Sequence, residues 1–286
     1  MRRFSISELS SLRWSFYQDV IRYAASGFTS IGIWRQKVGD CDVLEAADFL
    51  HEMRMNVSSV HWAGGFTGGS GTSYNDAIED AIDAIHLTSR VQGDCLIVHP
   101  GCRNGHTAGH ARRLLLSALR TLVPIATDFG VKLAIEPMPC RTASAWTFLE
   151  TLDCSLNLLS EFSEENLGLV LDLYHVGLNP EVYENLENLI NRIALVQLSD
   201  RDYAATWPER RLMLGTGNVP FDKWFRRLHE MGYAGNYEIE LHGHGVAEVD
   251  YASMLSDSLS FLADLSLDVF GNPLHDATQF RRPSSP

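Results

Sequence analysis

Two glutamates lie two residues apart in the stretch NYEIELHG, at positions 238 and 240. Side chains alternate along a β-strand with a period of two, so the carboxylates of Glu238 and Glu240 share one face of the strand. An amphipathic, helix-length segment at 221–231 precedes the stretch. An interior strand can carry two acids on one face only if the acids stay protonated or face a cation, because an unpaired buried charge is unfavourable.

Acids also end two other apolar runs: Glu136 closes VKLAIE and Asp172 closes GLVLD. Two unit charges about 4 Å apart repel each other by about 4 kcal/mol at an effective dielectric constant of roughly 20. A salt bridge within the sheet would explain any one of these acids, but one divalent cation explains acids at the ends of three strands more economically. Polar or aromatic residues end the remaining runs: Trp34, His61, His99, Gln197 and Asp200.

One alternation of apolar runs and amphipathic segments extends along the chain and must position these residues. Seven runs have the length and composition of strands, and a weaker run at 3–6 is a candidate eighth: 29–34, 57–62, 95–100, 131–136, 167–173, 193–198 and 237–241. Eight segments have a helical pattern: 14–25, 42–54, 75–91, 107–129, 144–160, 181–190, 221–231 and 250–264. Strands that alternate with helices pair in parallel through right-handed crossovers. The sequence therefore predicts an α/β protein with a single (β/α)8 TIM barrel, and an open doubly wound sheet is the alternative.

No linker divides this alternation, so one domain is expected over residues 1–270, followed by a polar C-terminal tail at 271–286. In such barrels the side chains that act on substrate lie at the C-terminal ends of the strands. The acids and polar residues described above fall at those ends, so they are predicted to converge at one mouth of the barrel.

The 286 residues carry a formal net charge of −13, and 45% of them are hydrophobic. Nucleic-acid binding draws much of its affinity from cationic side chains, so this charge disfavours a nucleic-acid partner. The apolar runs have the length of strands and are too short to span a membrane. Five cysteines are scattered without a C-x-x-C pair, which is typical of free thiols in a reducing compartment. We therefore expect a cytoplasmic protein that binds a small molecule and neither nucleic acid nor a membrane.

Eight motifs carry a resemblance to a known family: IGIWRQKVG, VSSVHWAGGFTG, LIVHPG, LAIEPM, GLVLDLYHVG, VQLSDR, LGTGNVPF and GYAGNYEIE. In this order they resemble the sugar phosphate isomerase/epimerase family, whose xylose isomerase-like TIM barrel belongs to the endonuclease-IV-like superfamily. The resemblance extends over about residues 14–245. It implies a closed barrel with a catalytic centre at the ends of strands five to eight.

The resemblance also implies one divalent metal ion, held by Glu, Asp, His and Glu from those four strands. By position in the motifs, Glu136, Asp172 and Glu240 match the first, second and fourth ligands. The family commonly has histidine in the third position, where this chain has Gln197. An amide oxygen there makes the ligand set all-oxygen, which favours Mn²⁺ or Mg²⁺ over Zn²⁺ or Co²⁺. The same substitution is compatible with a weakened site in a member that no longer catalyses.

Six further residues are predicted to contact substrate. The resemblance implies that His175, three residues after Asp172, binds substrate oxygens, and a loop histidine bonded to backbone is the alternative. Two histidines and a tryptophan at strand ends would line the pocket, an arginine would bind an anionic group, and a glutamate lies two residues before the fourth ligand. These residues are His99, His61, Trp34, Arg201 and Glu238.

Taken together, these features predict an isomerase or epimerase of a keto-sugar, a sugar phosphate or a related polyol carbonyl compound. Glu136 and Glu240 would remove and return a proton from opposite sides through an enediolate, with the metal ion as Lewis acid. The rivals are a metal-dependent dehydratase (a lyase) of a keto-inositol, an endonuclease IV-type phosphodiesterase, and a non-catalytic sugar-binding protein. Gln197 and the negative charge disfavour the phosphodiesterase. Similar barrels are frequently homodimers or homotetramers, so an assembly of that kind is expected.

Overall fold

The computed structural model describes residues 3–69, 71–139, 145–163, 165–202, 210–243 and 248–270. The predicted polar tail at 271–286 lies outside these residues. Among the helices of the described segments, none combines the length and the apolar character that a membrane span requires.

Eight parallel strands close into a barrel in the order in which they occur along the chain. The strands are β1 (Arg3–Ser7), β2 (Ser30–Trp34), β3 (Asn56–Gly64), β4 (Cys95–His99), β5 (Lys132–Ile135), β6 (Leu167–Asp172), β7 (Ile193–Leu198) and β8 (Asn236–Ile239). The first strand pairs with β2 on one side and with β8 on the other, which closes the sheet. Closure confirms the predicted (β/α)8 barrel, excludes the open sheet and makes the weak run at 3–6 a true strand.

Helices connect the strands and cover the outside of the barrel. They are α1 (Phe16–Ser26), α2 (Arg35–Val38), α3 (Val43–Glu52), α4 (Tyr74–Arg90), α5 (Ala108–Asp128), α6 (Leu152–Leu159), α7 (Leu173–Val176), α8 (Pro180–Glu184), α9 (Phe221–Glu230) and α10 (Tyr251–Phe270). Ser15 and Ser73 form capping boxes at the starts of α1 and α4. The glycine that ends α1, Gly27, has a φ of 108°, a left-handed conformation that other residues rarely adopt.

One predicted helix begins later than expected. The amphipathic pattern at 144–160 predicts a helix throughout, but α6 begins only at Leu152. Thr147 forms a parallel bridge with Gly101, whose N–H donates to the carbonyl oxygen of Trp146 at 2.8 Å. These contacts hold the residues before α6 against the loop that follows β4. The pattern of hydrophobicity within the segment contains no trace of this tertiary contact.

The lumen of the barrel contains polar side chains, and the face of the sheet that packs against the helices is apolar. Ser59 on β3 donates to Glu238 on β8, and because β1 and β2 separate these strands, the contact crosses the lumen. On the outer side, the ring of Tyr237 stacks on that of Phe225 of α9, with centroids 4.4 Å apart. The centroid of the Phe4 ring lies 5.7 Å from that of Tyr237. The alternation predicted for the last strand is therefore observed, with Glu238 inside and Tyr237 outside.

A buried lysine ties the turn after β1 to two helices. Lys37 of α2 pairs with Asp19 of α1 and donates to the carbonyl oxygens of Glu8 at 3.2 Å and Ser11 at 3.1 Å. Methionine at position 37 would fill a similar volume but leave the buried Asp19 carboxylate without its cation. We expect Lys37→Met to lower the free energy of unfolding by about 3–5 kcal/mol, measured by urea denaturation.

The matched control is Lys223→Met, because Lys223 is exposed on α9. Its free energy of unfolding should stay within about 0.5 kcal/mol of the unsubstituted protein. A loss below about 1 kcal/mol for Lys37→Met, small for removal of a buried ionic partner, would mean that Asp19 needs no cation and is neutral in the folded protein.

Candidate active site

Three buried acids lie at the C-terminal ends of three strands. Glu136 follows β5, Asp172 is the last residue of β6, and Glu240 follows β8. Asp172 also caps the one-turn helix α7, since its Oδ1 accepts a hydrogen bond from the N–H of Tyr174 at 2.9 Å. This bond leaves Oδ2 of Asp172 for contacts with the other side chains at the mouth of the barrel.

Two histidines lie beside Glu136 and Asp172. Nε2 of His99 lies 2.7 Å from Oε2 of Glu136. Nε2 of His175, on α7, lies 3.6 Å from Oδ2 of Asp172 and 3.9 Å from Oε1 of Glu136. Burial lowers the pKa of His175, and the charge of Asp172 opposes this only in part. The imidazole of His175 is therefore neutral near pH 7, with a lone pair that can bind a metal ion or accept a hydrogen bond.

Arg211, one of several arginines that follow strand ends in the sequence, lies between two of the acids. Nη2 of Arg211 is 2.6 Å from Oδ2 of Asp172 and 3.6 Å from Oε2 of Glu240, and its Nη1 donates to Oγ of Ser199 at 2.9 Å. The guanidinium also lies over the ring of Tyr174, 4.6 Å from its centroid. Arg211 is thus held by several contacts as a buried, permanent positive charge within the site.

The segment that carries Arg211 returns to the barrel because Asp200 holds it there. Asp200 forms an antiparallel bridge with Leu212, and its carboxylate accepts the N–H groups of Gly217 at 2.8 Å and Val219 at 3.0 Å. Asp200 therefore stabilises this segment. The sequence signal for Arg211 is weak, because it consists only of two adjacent arginines before the apolar run LML.

The charges of the site shift the pKa values of two acids in opposite directions. Burial raises the pKa of Asp172, but the adjacent Arg211 outweighs this effect and holds that pKa below its usual range. Burial raises the pKa of Glu240 to about 8; repulsion from Glu136 adds to the rise, and Arg211 and His61 offset it only in part. Asp172 is consequently ionised at neutral pH, whereas Glu240 keeps its proton in the metal-free protein.

The side-chain donors at this mouth fit a divalent cation. Glu136, Asp172 and His175 each offer an atom, and the three atoms lie within 4.8 Å of one another. Gln197 on β7 is buried, and neither atom of its amide has a hydrogen-bond partner among the described residues. Oε2 of Glu240 is also buried without such a partner there. An unsatisfied buried amide is unfavourable, so these atoms are suited to a ligand.

The predicted ligand set is only partly assembled by these contacts. His175, predicted to contact substrate and not to bind the metal, lies with Glu136 and Asp172, and Glu240 is linked to Asp172 through Arg211. The strand register aligns Gln197 with Asp172 on β6. Once Glu240 has lost its proton to an incoming ion, three carboxylates and one guanidinium would leave two negative charges, which a divalent ion would balance. Coordination by Gln197 and Glu240 stays a prediction.

Metal binding should release a proton, because Glu240 would have to lose the proton that it holds below about pH 8. The apparent affinity for Mn²⁺ is therefore expected to rise with pH up to about 8 and then to level off. At pH 6.5, calorimetry in two buffers of different ionisation enthalpy should show about one proton released per ion bound. In Glu240→Gln this release should disappear, and equal heats in both buffers for the unsubstituted protein would contradict the prediction.

Glu238, the other glutamate of the NYEIELHG stretch, lies deeper in the lumen than Glu240. Oε2 of Glu238 accepts hydrogen bonds from Oγ of Ser58 and Ser59, both at 2.6 Å, and its Oε1 lies 2.9 Å from Nε2 of His61. Burial raises the pKa of Glu238, but the hydrogen bond and charge of His61 outweigh this effect and lower it. Glu238 and Glu240 therefore face the same side of the last strand, as predicted, but they lie at different depths in the lumen. Both oxygens of Glu238 are engaged within the barrel, and its contact with substrate stays a prediction.

A cavity of about 300 Å³ reaches the site at His99, the partner of Glu136, although none of the three acids lines it. Its lining includes His99 and two tryptophans, Trp62 and Trp146, whose rings meet edge to face with centroids 4.9 Å apart. Arg35 also lines the cavity and is paired with Asp80 at 2.8 Å. A second cavity of about 360 Å³, which contains none of the predicted site residues, lies at the opposite end of β4 and β5.

The two remaining predicted residues are Trp34 and Arg201. Trp34 is not among the residues that line the cavity near the acids, and its backbone N–H donates to Oε2 of Glu8 at 2.8 Å. The guanidinium of Arg201 lies 5.1 Å from the ring centroid of Tyr174. Substrate contacts by Trp34 and Arg201 stay predictions, whereas Trp62 and Trp146 supply the aromatic wall of the cavity.

Comparison with known proteins identifies relatives of moderate similarity. The chain is 26% identical to a ketose 3-epimerase of Arthrobacter globiformis over 140 residues, which are 49% of this chain and 45% of that protein. It is 28% identical to an inosose isomerase of Halalkalibacterium halodurans over 134 residues, which are 46% of each protein. The chain thus spans about half the length of these curated relatives.

Solved structures and a family comparison extend the similarity to nearly the whole chain. The IOLI protein with a binding zinc atom has the same fold, with a TM-score of 0.80 at 16% identity over 94% of this chain and 100% of that chain. Residues 20–265 match the family described as xylose isomerase-like TIM barrel. Because this match includes most of the chain, the protein belongs to the xylose isomerase-like TIM barrel family.

Proposed function

We propose that this protein is a divalent-metal-dependent isomerase or epimerase of a keto-sugar, a sugar phosphate or a related polyol carbonyl compound. The proposal rests on the convergence of Glu136, Asp172 and His175 within 4.8 Å, with Glu240 joined to them through Arg211. The names of the two relatives, a ketose 3-epimerase and an inosose isomerase, support the same class of reaction.

The proposed ligands of the ion are Glu136, Asp172 and His175, together with Gln197 and Glu240. An ion held there would act as a Lewis acid that polarises the carbonyl group of the substrate. Oxygen donors outnumber nitrogen donors in this set, so Mn²⁺ or Mg²⁺ is favoured over Zn²⁺ or Co²⁺.

Glu136 and Glu240 are the proposed proton-transfer residues. They follow β5 and β8, which are not neighbours in the barrel, so their carboxylates approach the lumen from different sides. One carboxylate removes the proton from the carbon next to the carbonyl group. The other must carry a proton taken up from solvent or from a substrate hydroxyl group, which it delivers to the opposite face of that carbon in an epimerisation. In an isomerisation the proton is delivered to the neighbouring carbon. The bond from His99 holds Oε2 of Glu136 and leaves Oε1 on the side of His175.

Arg211 is the proposed stabiliser of negative charge on the substrate. Its guanidinium is buried and fixed against Asp172, Glu240 and Ser199. A preorganised cation stabilises an oxyanion strongly where water is excluded, and it needs no reorganisation as the proton leaves carbon. The one lone pair of the neutral His175 ring can serve either the ion or a substrate hydroxyl group, so in a site held by the other ligands it would accept a hydrogen bond from substrate.

The proposal is tested by incubating the protein with Mn²⁺ and a panel of ketoses, sugar phosphates and inososes in D₂O. We expect one substrate to give an isomer or epimer with solvent deuterium at the reacting carbon, detected by NMR and mass spectrometry. Treatment with EDTA should abolish the reaction, and elemental analysis of the purified protein should identify the ion. A product that has lost water would establish the dehydratase instead, and binding without turnover that ignores EDTA would establish a sugar-binding protein.

A further inference from the structure

A histidine and a glutamate form a buried pair directly beneath Glu240. Nε2 of His61 lies 2.9 Å from Oε1 of Glu238, and Nδ1 of the same ring lies 3.9 Å from Oε1 of Glu240. His61 is 1% exposed and Glu238 is fully buried. The imidazole thus connects a carboxylate inside the lumen to a carboxylate of the candidate active site.

Three strands provide the space and the hydrogen bonds that fix this pair. Ser58 and Ser59 on β3 satisfy Oε2 of Glu238, so the carboxylate cannot rotate without losing both bonds. On β2, Gly32 leaves room for it, because a Cβ atom at this position would lie 2.4 Å from Oε2 of Glu238. On β1, Oγ of Ser7 lies 3.5 Å from Nε2 of His61. Nε2 of His61 makes the contact with Glu238, so Nδ1 is the atom that faces Glu240.

Stability alone gives little reason to keep such a pair in the lumen. Replacement of a buried ion pair by apolar side chains of similar volume is often neutral or stabilising. The pair therefore points to a function, and its contacts indicate which one. Oε1 of Glu240 faces His61, whereas Oε2 of Glu240 faces Arg211, 3.6 Å from Nη2, on the side of Asp172.

We propose that His61 and Glu238 are positioning residues for Glu240: Glu238 fixes the ring of His61, and the ring, 3.9 Å from Oε1 of Glu240, limits the rotation of this carboxylate so that Oε2 is presented to the metal ion. This inference rests on the proposed function, since it requires the ion. Outer partners that orient a ligand typically contribute about 10–100-fold to metal affinity. His61 acts through Glu240 and does not touch the reacting atoms.

Three variants and one control test the proposal, with Mn²⁺ affinity measured by calorimetry. His61→Gln retains a donor for Glu238 but lacks the atom at Nδ1, and Glu238→Ala removes the acceptor that fixes the ring. We expect each to weaken Mn²⁺ binding by about 10-fold or more. Glu238→Gln should restore affinity to within about threefold of the unsubstituted protein, because a glutamine oxygen can still accept from Nε2 of His61. Glu238→Gln and Glu238→Ala remove the same charge, so their difference reports orientation.

The matched control is His242→Ala. Nε2 of His242 also lies 3.9 Å from Oε1 of Glu240, but this side chain is 46% exposed. Its substitution should leave Mn²⁺ affinity within about twofold, far less than the effect expected from an oriented outer partner. Circular dichroism melting establishes that each variant is folded. If Glu238→Ala is unfolded, the comparison of His61→Gln with His242→Ala decides.

The outcomes separate this proposal from the proposed function. If the unsubstituted protein does not bind Mn²⁺, both are overturned. If it binds Mn²⁺ and Glu136→Gln weakens binding, the metal site stands, and unchanged affinity in folded His61→Gln and Glu238→Ala overturns the positioning role alone. Equal losses in Glu238→Gln and Glu238→Ala would also overturn it, because the effect would then follow charge and not orientation.

Discussion

Glu136→Gln and Glu240→Gln are each expected to lower kcat by about 10²–10⁴-fold, the usual contribution of a positioned proton-transfer residue. Glutamine retains the shape of glutamate but cannot accept a proton from carbon. Each variant should keep its fold, since the amide can still meet polar neighbours such as His99, which lies 2.7 Å from Glu136. Initial rates on the substrate found in the D₂O assay give kcat, and circular dichroism verifies the fold.

A surface glutamate supplies the control for these two substitutions. Glu161 pairs with Arg112 at 2.9 Å and Arg120 at 2.8 Å on the outer helices, far in the fold from the strand ends. Glu161→Gln should therefore leave kcat unchanged. Full activity in either folded Glu136→Gln or Glu240→Gln would remove that residue from the proposed proton transfer. A loss in only one of them would leave a single base, which suits an isomerase that returns the proton on the same face.

The strands and the acids at their ends could be predicted because their signals are local. Glu136 and Asp172 each follow an uninterrupted apolar run, and a parallel barrel brings such ends to one mouth. Even the weak first strand, Arg3–Ser7, is required by closure, since β8 needs a partner on that side. The predicted helix start at residue 144 is wrong because it depends on a contact that is not local. A bridge between Gly101 and Thr147 decides where α6 can begin.

Two features of the site depend on contacts that the sequence does not encode locally. Arg211 reaches Asp172 only because Asp200 folds a distant segment back over the mouth. The separate levels of Glu238 and Glu240 follow from neighbours on β3, whose serines and histidine enclose the deeper acid. A period of two assigns a face to each residue but not its depth along the lumen. The pair at 238 and 240 therefore looks equivalent in sequence and has different surroundings in the structure.

Gln197→His is expected to raise affinity for Zn²⁺ and Co²⁺ by at least about tenfold relative to Mg²⁺. The substitution exchanges an amide oxygen for an imidazole nitrogen at the same net charge, and borderline metals gain most from nitrogen. The carboxylates of Glu136, Asp172 and Glu240 remain to balance the ion. Calorimetric titration of each variant with the three metals, at one pH, measures the change in selectivity.

Gln197→Leu is the companion variant, because leucine removes the ligand and places an apolar group of similar size in the same buried position. It should weaken the binding of every metal, by about 10-fold or more if Gln197 coordinates the ion. The competing explanation is that Gln197 only hydrogen-bonds Asp172 or Glu240, yet its amide makes no hydrogen bond with either of them, or with any other described residue. Affinities and selectivity that stay the same in both variants would exclude Gln197 from the coordination sphere and leave His175 as the third ligand beside Glu136 and Asp172.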